Sequence, residues 1–460
     1  MSLILATLLA TAAATSPIPG FRPPAVPILA QSPLINVFSP FDTLNEGDVT
    51  HWTGNNADWF SGIRVDGAFY LLLGNPAPSW SAAPLQRAAQ VGVAVFATQT
   101  VYSFTAGPVA LNLTFTSPQI PTDFDLMSRP SHYVTADVAA TDGATHAVQL
   151  YFDVTPRLVI EDAGADVAFG TVAVAPGAEA LAMGNAAQQP LSSTNDRANW
   201  GVMYLTRDTT VPSAGALQMS NVSRSAWVAT GALPPGAGPV SPIPFSGGKG
   251  PATGVQKGVD RPGYDLPGSP FSLARADPSL CWGHCNVTGG CKSWAYADPT
   301  CDSQFTKPTC WLKGDYAPTV ARDCRWSGAQ AGYPTGGGVT IAAAATYDFS
   351  AAAAPVRRVF TVSVDEVLGI SWFGELMPPW WRRALPVNST AAVPTAMLAD
   401  SVASYDTVKI LCDTWDADTA AMLSAAGGDE YATIAQLTYR QVFAGQMLVF
   451  SPVRNTVWCA

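Results

Sequence analysis

The fold class is decided by the stretch His132-Tyr-Val-Thr-Ala-Asp-Val138, the dipeptide Asp142-Gly143 and the stretch Ala147-Val-Gln-Leu-Tyr-Phe-Asp-Val154. In both stretches apolar and polar side chains alternate, which is the period of a β-strand that buries one face. Asp-Gly is a favoured dipeptide for a tight turn between antiparallel strands. The pattern therefore predicts two strands joined as a β-hairpin.

Further strands are predicted on both sides of this hairpin. Residues Gly62–Leu73 read as two strands around Asp66-Gly67, and Val101–Phe104 and Val109–Thr116 flank an Ala-Gly-Pro turn. Short strands repeated at this spacing predict a large antiparallel β-sandwich. The alternation returns in Val356–Val364, so the sandwich is expected to resume after an insertion.

Composition argues against several function classes. The chain has 460 residues, 13% of them charged, with a net charge of −10 and 39 glycines and 38 prolines. Because it has no cluster of Lys and Arg, binding to nucleic acid or to an anionic membrane surface is not expected. The Ala-rich run 341–354 is interrupted by Tyr347 and Asp348, so no membrane span is predicted. The sequence has no P-loop, G-x-S-x-G or H-E-x-x-H motif, and no cofactor is expected.

Six of the eight cysteines are crowded into one block: Cys281, Cys285, Cys291, Cys301, Cys310 and Cys324. Structural zinc usually has two close Cys pairs, whereas this spacing has none and His284 is the only histidine nearby. In a secreted chain an even number of clustered cysteines favours disulfide bonds over a metal site. Gly/Pro/Ser-rich sequence at 234–270 and at 336–338 indicates that the block is a separate inserted module.

The N-terminus predicts export. Leu3–Ala14 is a short apolar run followed by small residues, so residues 1–16 are interpreted as a signal peptide, although no Lys or Arg precedes Arg22. Four Asn-x-Ser/Thr sequons agree with this and are candidate glycosylation sites: Asn112, Asn221, Asn286 and Asn388. A secreted or extracellular protein is therefore predicted.

From Ala391 the period changes to that of a helix. Apolar residues recur at three- and four-residue steps, namely Met397, Leu398, Val402, Tyr405, Val408, Leu411 and Trp415. Gly427-Gly428 is expected to end this helix. The pair Asp429-Glu430 suits the positive end of a second helix, which is predicted over Tyr431–Phe450.

Several segments, in this order, carry a family resemblance: Phe21-Arg-Pro-Pro-Ala-Val-Pro27, His51-Trp-Thr-Gly54, Gly62-Ile-Arg-Val-Asp-Gly67, Leu113-Thr-Phe-Thr-Ser-Pro118, Asp125-Leu-Met-Ser-Arg-Pro130, Val148-Gln-Leu-Tyr-Phe-Asp-Val154, Asn199-Trp-Gly-Val-Met-Tyr-Leu205, Trp372-Phe-Gly374, Pro379-Trp-Trp-Arg-Arg383, Gly427-Gly-Asp-Glu-Tyr431 and Tyr439-Arg-Gln441. Together they resemble the fungal and bacterial glutaminase A family, over nearly everything outside the linker and the cysteine block. The resemblance implies an N-terminal β-sandwich followed by a six-helical-hairpin, (α/α)6-type barrel. It also implies secreted hydrolysis of L-glutamine to L-glutamate and ammonia.

Two departures from the family pattern bear on activity. Ser371 stands where the family usually carries an acidic residue, and Ser451–Ala460 replaces several hundred residues of barrel. A truncated barrel is therefore expected, and with it a chain that lacks glutaminase activity when it is expressed alone.

The cysteine block resembles a PAN/apple-type module, in which Cys291–Tyr296 and Cys310–Lys313 correspond to two central strands. That resemblance implies the pairs Cys281–Cys310 and Cys285–Cys291, which leaves Cys301–Cys324. It also implies a protein or carbohydrate ligand for the insert.

These observations predict a multi-domain, mainly β protein. The expected parts are a signal peptide (1–16), a glutaminase A-like β-sandwich (20–250 and 333–385), a PAN/apple-like disulfide module (255–330) and a truncated helical segment (391–460).

Candidates for chemistry are few. Asp365-Glu366 is a pair of carboxylates, and a buried pair can divide into an acid and a base, although an exposed strand end is the favoured interpretation. Arg129 and Arg382-Arg383 could hold a carboxylate substrate or bridge the sandwich to the helices. His51-Trp52 could line a pocket or be structural. The tryptophans Trp372, Trp380 and Trp381 could form a sugar-stacking platform or an apolar contact between domains.

Three functions remain open from sequence. The first is hydrolysis of a side-chain amide, with catalytic residues that the sequence does not identify and a small-molecule amide as substrate. The second is a non-catalytic secreted protein that binds glycan or protein. The third is a glycoside hydrolase relative, because (α/α)6 barrels often cleave sugars with two carboxylates.

Overall fold

The structure is a computed structural model that describes residues 23–161, 165–186, 188, 190–191, 196–235, 256–273, 281, 284–285, 291, 293–300, 302–314, 320–329, 333–334, 341–385 and 395–460. The predicted signal peptide, Cys301, Asn286 and Asn388 lie outside the described residues.

The described chain is mainly β, as predicted. In chain order the strands are β1 (Val26–Ala30), β2 (Asn36–Ser39), β3 (Phe60–Val65), β4 (Ala68–Leu73), β5 (Ala89–Val95), β6 (Gln99–Ala106), β7 (Val109–Thr116), β8 (Ser131–Ala140), β9 (His146–Val154), β10 (Asp166–Ala175), β11 (Ala178–Asn185), β12 (Val202–Asp208), β13 (Ser213–Met219), β14 (Gln256–Asp260), β15 (Phe271–Ser272), β16 (Ser293–Ala297), β17 (Thr309–Lys313), β18 (Val320–Ala329), β19 (Tyr333–Pro334), β20 (Ile341–Ala351), β21 (Val356–Asp365), β22 (Ile370–Trp372), β23 (Glu375–Met377), β24 (Leu448–Ser451) and β25 (Thr456–Cys459). The α-helices are α1 (Phe124–Ser128), α2 (Ser220–Thr230), α3 (Thr395–Ala403) and α4 (Tyr405–Ala444), and two 3-10 turns cover Pro156–Leu158 and Trp380–Arg382.

Two antiparallel sheets form the sandwich. The large sheet has the order β19-β10-β11-β12-β21-β8-β7-β6-β5, and the small sheet has the order β13-β20-β9-β3-β4. Aromatic rings from both sheets meet in the core. Phe360 of β21 lies 5.5 Å from Phe152 of β9 and 4.8 Å from Tyr347 of β20, measured between ring centroids. All three are almost fully buried, so apolar burial between the sheets holds them together.

The hairpin predicted around Asp142-Gly143 is wrong, although both of its strands exist. Strand β8 pairs with β7 and β21 in the large sheet, whereas β9 pairs with β3 and β20 in the small sheet. The turn therefore carries the chain from one sheet to the other. Alternation shows that a strand buries one face, but it does not show which strand lies beside it.

The hairpins predicted around Asp66-Gly67 and around the Ala-Gly-Pro turn are confirmed. Val65 pairs with Ala68 across the first turn, and β6 pairs with β7 across the second.

The first predicted helix is divided into two helices in the structure. The helix breaks at Ser404 between α3 and α4, and α4 bends at Gly428, whose φ of 81° is not helical. The predicted break at the glycine pair is thus confirmed. No helix among the described residues is long and apolar enough to cross a membrane.

The predicted helix over Tyr431–Phe450 is wrong at its C-terminal end. Helix α4 ends at Ala444, and Leu448–Ser451 forms β24, which pairs with β25. Gly445 ends the helix, and the turn beyond β24 contains Asn455 at a φ of 50°. Apolar contacts select the strand, since Val449 is buried against Met377.

The inserted module has its own sheet and its own core. Its strand order is β14-β18-β16-β17-β15, and none of these strands pairs with the sandwich in the described residues. Its apolar core consists of the buried residues Leu273, Cys281, Cys285, Cys291, Trp294, Tyr296, Cys310 and Leu312. The bonds Cys281–Cys310 and Cys285–Cys291, implied by the family resemblance, are both present. Cys324 is also disulfide-bonded, but the predicted pairing with Cys301 lies outside the described residues.

We predict that the sandwich folds without the insert. Replacing residues 254–332 by a short Gly/Ser linker should leave a protein that melts cooperatively within a few degrees of the parent, because the two cores are separate. Differential scanning calorimetry measures this.

Reducing agent provides the control for this replacement. It should not change the melting temperature of the shortened protein, because neither of its cysteines, Cys412 and Cys459, forms a disulfide bond. Loss of soluble expression on replacement would show that the sandwich depends on the insert.

Candidate active site between the large sheet and helix α4

The carboxylates Asp365 and Glu366 lie at the end of β21, in the middle of the large sheet. Both are buried, with exposed fractions of 0% and 1%. The favoured interpretation from sequence, an exposed strand end, is therefore wrong. The strand end is covered by the 3-10 turn Trp380–Arg382 on one side and by Gln31-Ser32, which follows β1, on the other.

Asp365 belongs to a buried ion pair. Arg382 donates from Nε to Oδ1 at 2.7 Å and from a terminal nitrogen to Oδ2. The backbone N–H of Val367 also donates to Oδ1, at 3.0 Å. The ring of Trp381 lies 4.9 Å from the guanidinium carbon. Both carboxylate oxygens of Asp365 thus accept hydrogen bonds, and Asp365 holds the 3-10 turn against the sheet.

Glu366 lies in a different environment. Its Oε1 accepts hydrogen bonds from Ser32 Oγ at 2.6 Å and from Gln31 Nε2 at 3.1 Å. Its Oε2 is buried and has no hydrogen-bond partner among the described residues. Burial raises the pKa of Glu366 to about 8, against the lowering effect of these two hydrogen bonds and with a further rise from the neighbouring Asp365 charge. At neutral pH Glu366 is therefore mainly a carboxylic acid.

A small cavity of about 40 Å³ lies beside Glu366. Its wall includes Gln119 from the sandwich, Phe443 from the last turn of α4 and Met447 from the segment after it. The cavity has room for a water molecule, which needs at least about 10–15 Å³. The acid thus faces a space at the boundary between the sandwich and α4.

His132 extends this polar group into the sandwich. Its Nε2 lies 3.1 Å from Gln31 Oε1, and its Nδ1 lies 3.1 Å from Ser117 Oγ. Burial lowers the pKa of His132 to about 3, and the positive charge of Arg440 adds to this. The imidazole is therefore neutral. Since an amide oxygen only accepts, Nε2 carries the proton and donates to Gln31.

Helix α4 contributes two buried charged residues that face the sandwich. Asp416 accepts hydrogen bonds from the backbone N–H of Thr98 at 2.7 Å and from Gln99 Nε2 at 3.0 Å. Burial raises the pKa of Asp416 to about 6, although these bonds lower it. Arg440 is fully buried, and its three nitrogens have no hydrogen-bond partner among the described residues. Burial lowers the pKa of Arg440 to about 10, against the effect of Asp416.

Sequence reasoning missed these residues, although a signal existed for two of them. Asp416 follows the buried residues Val408 and Cys412 at steps of four, and Arg440 follows Gln436 in the same way. Polar residues on the buried stripe of a helix need partners on the surface they face. No local signal marked Gln31, Ser32 or His132.

The arginines considered as substrate clamps bridge parts of the fold instead. Arg129 donates to Ser404 Oγ at 3.1 Å, and so joins the sandwich to the start of α4. Arg383 donates to Asp125 Oδ2 at 2.9 Å and lies over the ring of Trp380.

The three tryptophans do not share one surface. Trp381 packs with Met397 and Leu398 of α3. Trp380 donates to Asp125 Oδ1 at 2.8 Å, and Trp372 is half exposed beside Phe373 on the β22–β23 hairpin. A single stacking platform is excluded, and for Trp381 the contact between domains is confirmed.

His51 and Trp52 line a cavity of about 600 Å³ together with Gln441 and Ala444 of α4, so the alternative that they line a pocket is confirmed, and His51 has a structural role as well. It is buried, with Nδ1 2.9 Å from Thr53 Oγ1 and Nε2 3.2 Å from the carbonyl oxygen of Pro33. Burial lowers its pKa to about 4.

Two of the predicted glycosylation sites lie in the described residues. Asn112 is on β7 and accepts a hydrogen bond from Ser103 Oγ at 2.8 Å, and Asn221 is in the first turn of α2. Modification of either residue stays a prediction.

Fold and site together define a class: a large antiparallel β-sandwich that carries a disulfide-bonded module and places a buried carboxylic acid where the sandwich meets a helix. Three protein families and one curated protein resemble parts of this chain. Residues 2–77 match a domain of unknown function (DUF4964), residues 98–240 match another (DUF5127), and residues 259–313 match a PAN domain. A curated relative is Glutaminase A of Aspergillus oryzae (strain ATCC 42149 / RIB 40), which is 27% identical over 215 residues. The match covers 45% of this chain and 30% of that protein.

Proposed function

We propose that this chain is a secreted glutaminase A-like protein, related to hydrolases that convert L-glutamine to L-glutamate and ammonia, and that it is catalytically incomplete by itself. The observation that carries the proposal is the similarity to Glutaminase A over 215 residues. Disulfide bonds of the inserted module support an oxidising, extracellular location. The PAN-domain match supports a protein or carbohydrate ligand for that module.

Glu366 is the proposed proton donor. In amide hydrolysis the oxygen of water bonds to the amide carbon, the C–N bond breaks, and the departing nitrogen takes up a proton. A carboxylic acid whose pKa lies near 8 is protonated at neutral pH and can supply that proton. Asp365 supports the acid electrostatically and stays paired with Arg382.

The described residues around Glu366 support a site that is catalytically incomplete. A cavity of about 40 Å³ admits water but not glutamine. Among its lining residues Glu366 is the one carboxyl group, whereas amide hydrolysis also needs a base for the attacking water and donors for the oxyanion.

The prediction compares two preparations in a coupled assay for ammonia. The 460-residue chain expressed alone should release no ammonia from L-glutamine. The natural protein, isolated from culture medium through a tag inserted in its gene, should be active. In that protein Glu366→Gln should lower kcat by about 10²–10⁴-fold, the usual contribution of a positioned general acid.

Glu430→Gln is the matched control, because Glu430 is exposed on α4 and does not line the cavity. It should leave kcat unchanged. Turnover by the 460-residue chain would contradict incompleteness. A natural protein without amide hydrolysis would contradict the glutaminase proposal, and full activity of the Glu366 variant would assign the acid to another residue.

A further inference from the structure

Another cavity, larger than the one beside Glu366, lies on the side of the small sheet. Its volume is about 500 Å³, within the range of about 300–1,000 Å³ that is usual for ligand sites. Its wall combines the connections β2–β3, β4–β5 and β11–β12, the segment after β9 and the first half of α2. It shares no lining residue with the cavity beside Glu366.

The floor of this cavity is a network of compensated charges. Arg224 donates to both oxygens of Asp153, at 2.8 and 2.7 Å, and to Asp58 Oδ1 at 2.7 Å. Asn56 continues the network, since its Nδ2 donates to Asp48 Oδ2 at 2.9 Å and its Oδ1 accepts from the N–H of Asp58 at 2.6 Å. The buried guanidinium of Arg224 is thus neutralised by two carboxylates.

The opposite wall is balanced in the same way. Arg197 donates to the carbonyl oxygen of Glu161, and the charges of Glu161 and Arg157 both act on Arg197. The lining thus holds three arginines and three acidic residues, namely Arg157, Arg197, Arg224, Asp48, Asp58 and Glu161. Asp153, which pairs with Arg224 but is not in the lining, adds a fourth carboxylate, so the charges around the cavity balance to within one and give little advantage to a charged ligand over a neutral polar one.

Two further side chains indicate what kind of neutral ligand fits. Trp80 lines the cavity and is held edge-on against Phe60, with ring centroids 5.9 Å apart. Asn221 also lines it, and its Oδ1 is buried with no hydrogen-bond partner among the described residues. A fixed aromatic ring packs against the C–H face of a sugar, while amides and carboxylates bond to its hydroxyl groups.

We propose that this cavity binds a neutral oligosaccharide, with Trp80 as the stacking side chain. The sugar has two available sources. One is a free or partner-borne glycan, and the other is a glycan carried by Asn221 itself, which stands in the sequon Asn221-Val-Ser223. This site is independent of the proposed amidase activity.

The test begins with unglycosylated protein from a bacterial periplasm. Isothermal titration with maltotriose, cellotriose, triacetylchitotriose and mannotriose should show binding of at least one trisaccharide with a Kd below about 1 mM. Trp80→Ala should weaken that binding by about tenfold or more, and Trp80→Tyr should weaken it less because a ring is kept. Trp372→Ala is the matched control, since Trp372 is half exposed on β22 and lies outside the cavity.

The source of the sugar is resolved with protein from a secreting yeast. If the Asn221 glycan occupies the cavity, this protein should bind the trisaccharide more weakly than its Asn221→Gln variant. Equal binding would assign the cavity to glycans from elsewhere. Two results would overturn the proposal. One is that the unglycosylated protein binds none of the four probes. The other is that Trp80→Ala leaves binding unchanged although Trp80→Ala and Trp80→Tyr both melt like the parent.

Discussion

Replacing Asp365 by asparagine should destabilise the protein by about 3–5 kcal/mol, the usual cost of removing one partner of a buried ion pair. The variant keeps the shape of the side chain but leaves the guanidinium of Arg382 buried, at 4% exposure, without a countercharge. The 3-10 turn Trp380–Arg382 and the C-terminal hairpin that packs beside it should loosen first. The turn contacts the sheet through this pair, and the C-terminal hairpin contacts the start of the turn through the bridge between Pro379 and Val449.

Urea unfolding followed by tryptophan fluorescence measures this loss. Asp137→Asn is the matched control, because Asp137 forms the same bidentate pair with Arg357, which is 46% exposed. An exposed pair contributes at most about 1 kcal/mol. Asp365→Asn combined with Arg382→Met should recover part of the stability, since no charge is then left buried. A loss for Asp365→Asn no larger than that for Asp137→Asn would show that the buried pair does not hold the turn.

Replacing Glu366 by glutamine should stabilise the protein at alkaline pH. The folded-state pKa of Glu366 is about 8, above the ordinary value of 4.5, so the folded protein favours the protonated acid. Its contribution to stability is therefore fully present below pH 4.5 and is lost as the pH rises through 8. At about 1.36 kcal/mol for each unit of pKa, the loss is on the order of 5 kcal/mol. Glutamine cannot ionise, and its Oε1 can still accept from Ser32 and Gln31.

The measured quantity is the difference in unfolding free energy between the parent and Glu366→Gln from pH 4.5 to 9. The difference cancels the contributions of His132, Asp416 and His51, whose pKa values are also shifted by burial. It should grow in favour of the variant as the pH rises and level off above 8. Glu430→Gln, at an exposed position, should show a constant difference. A constant difference for Glu366→Gln would mean that Glu366 is ionised in the fold, and would remove the basis for its role as an acid.

Together the two variants separate the roles of adjacent carboxylates. Asp365 is paired with Arg382 in a contact that stabilises the fold, whereas Glu366 is buried beside a cavity at a cost in stability above neutral pH. The burial of Glu366 lowers the stability of the fold above neutral pH, so a structural role does not account for it. Glu366 is therefore the better candidate for chemistry.

Local pattern predicted the strands of the sandwich but not all of their neighbours. Alternation located β8 and β9, and Asp-Gly located the turn between them, yet the two strands belong to different sheets. The same limit applied to Leu448–Ser451, where apolar residues that suit a helix form a strand against Met377. Side-chain period is a property of neighbouring residues, whereas strand partners are chosen by contacts far apart in the chain.

By itself the sequence determined the mainly β class, the disulfide-bonded insert, the helical segment with its break at the glycine pair, and the carboxylate pair Asp365-Glu366. Each of these depends on residues close together in the chain. Only the tertiary structure decided that the pair is buried and that its two members differ. The partners of Glu366, Gln31 and Ser32, lie more than 330 positions away, and the cavity wall combines residues of the sandwich with Phe443 of α4 and the segment that follows it. Burial and pKa are set by groups that folding brings from distant parts of the chain, and for that reason no local pattern could reveal them.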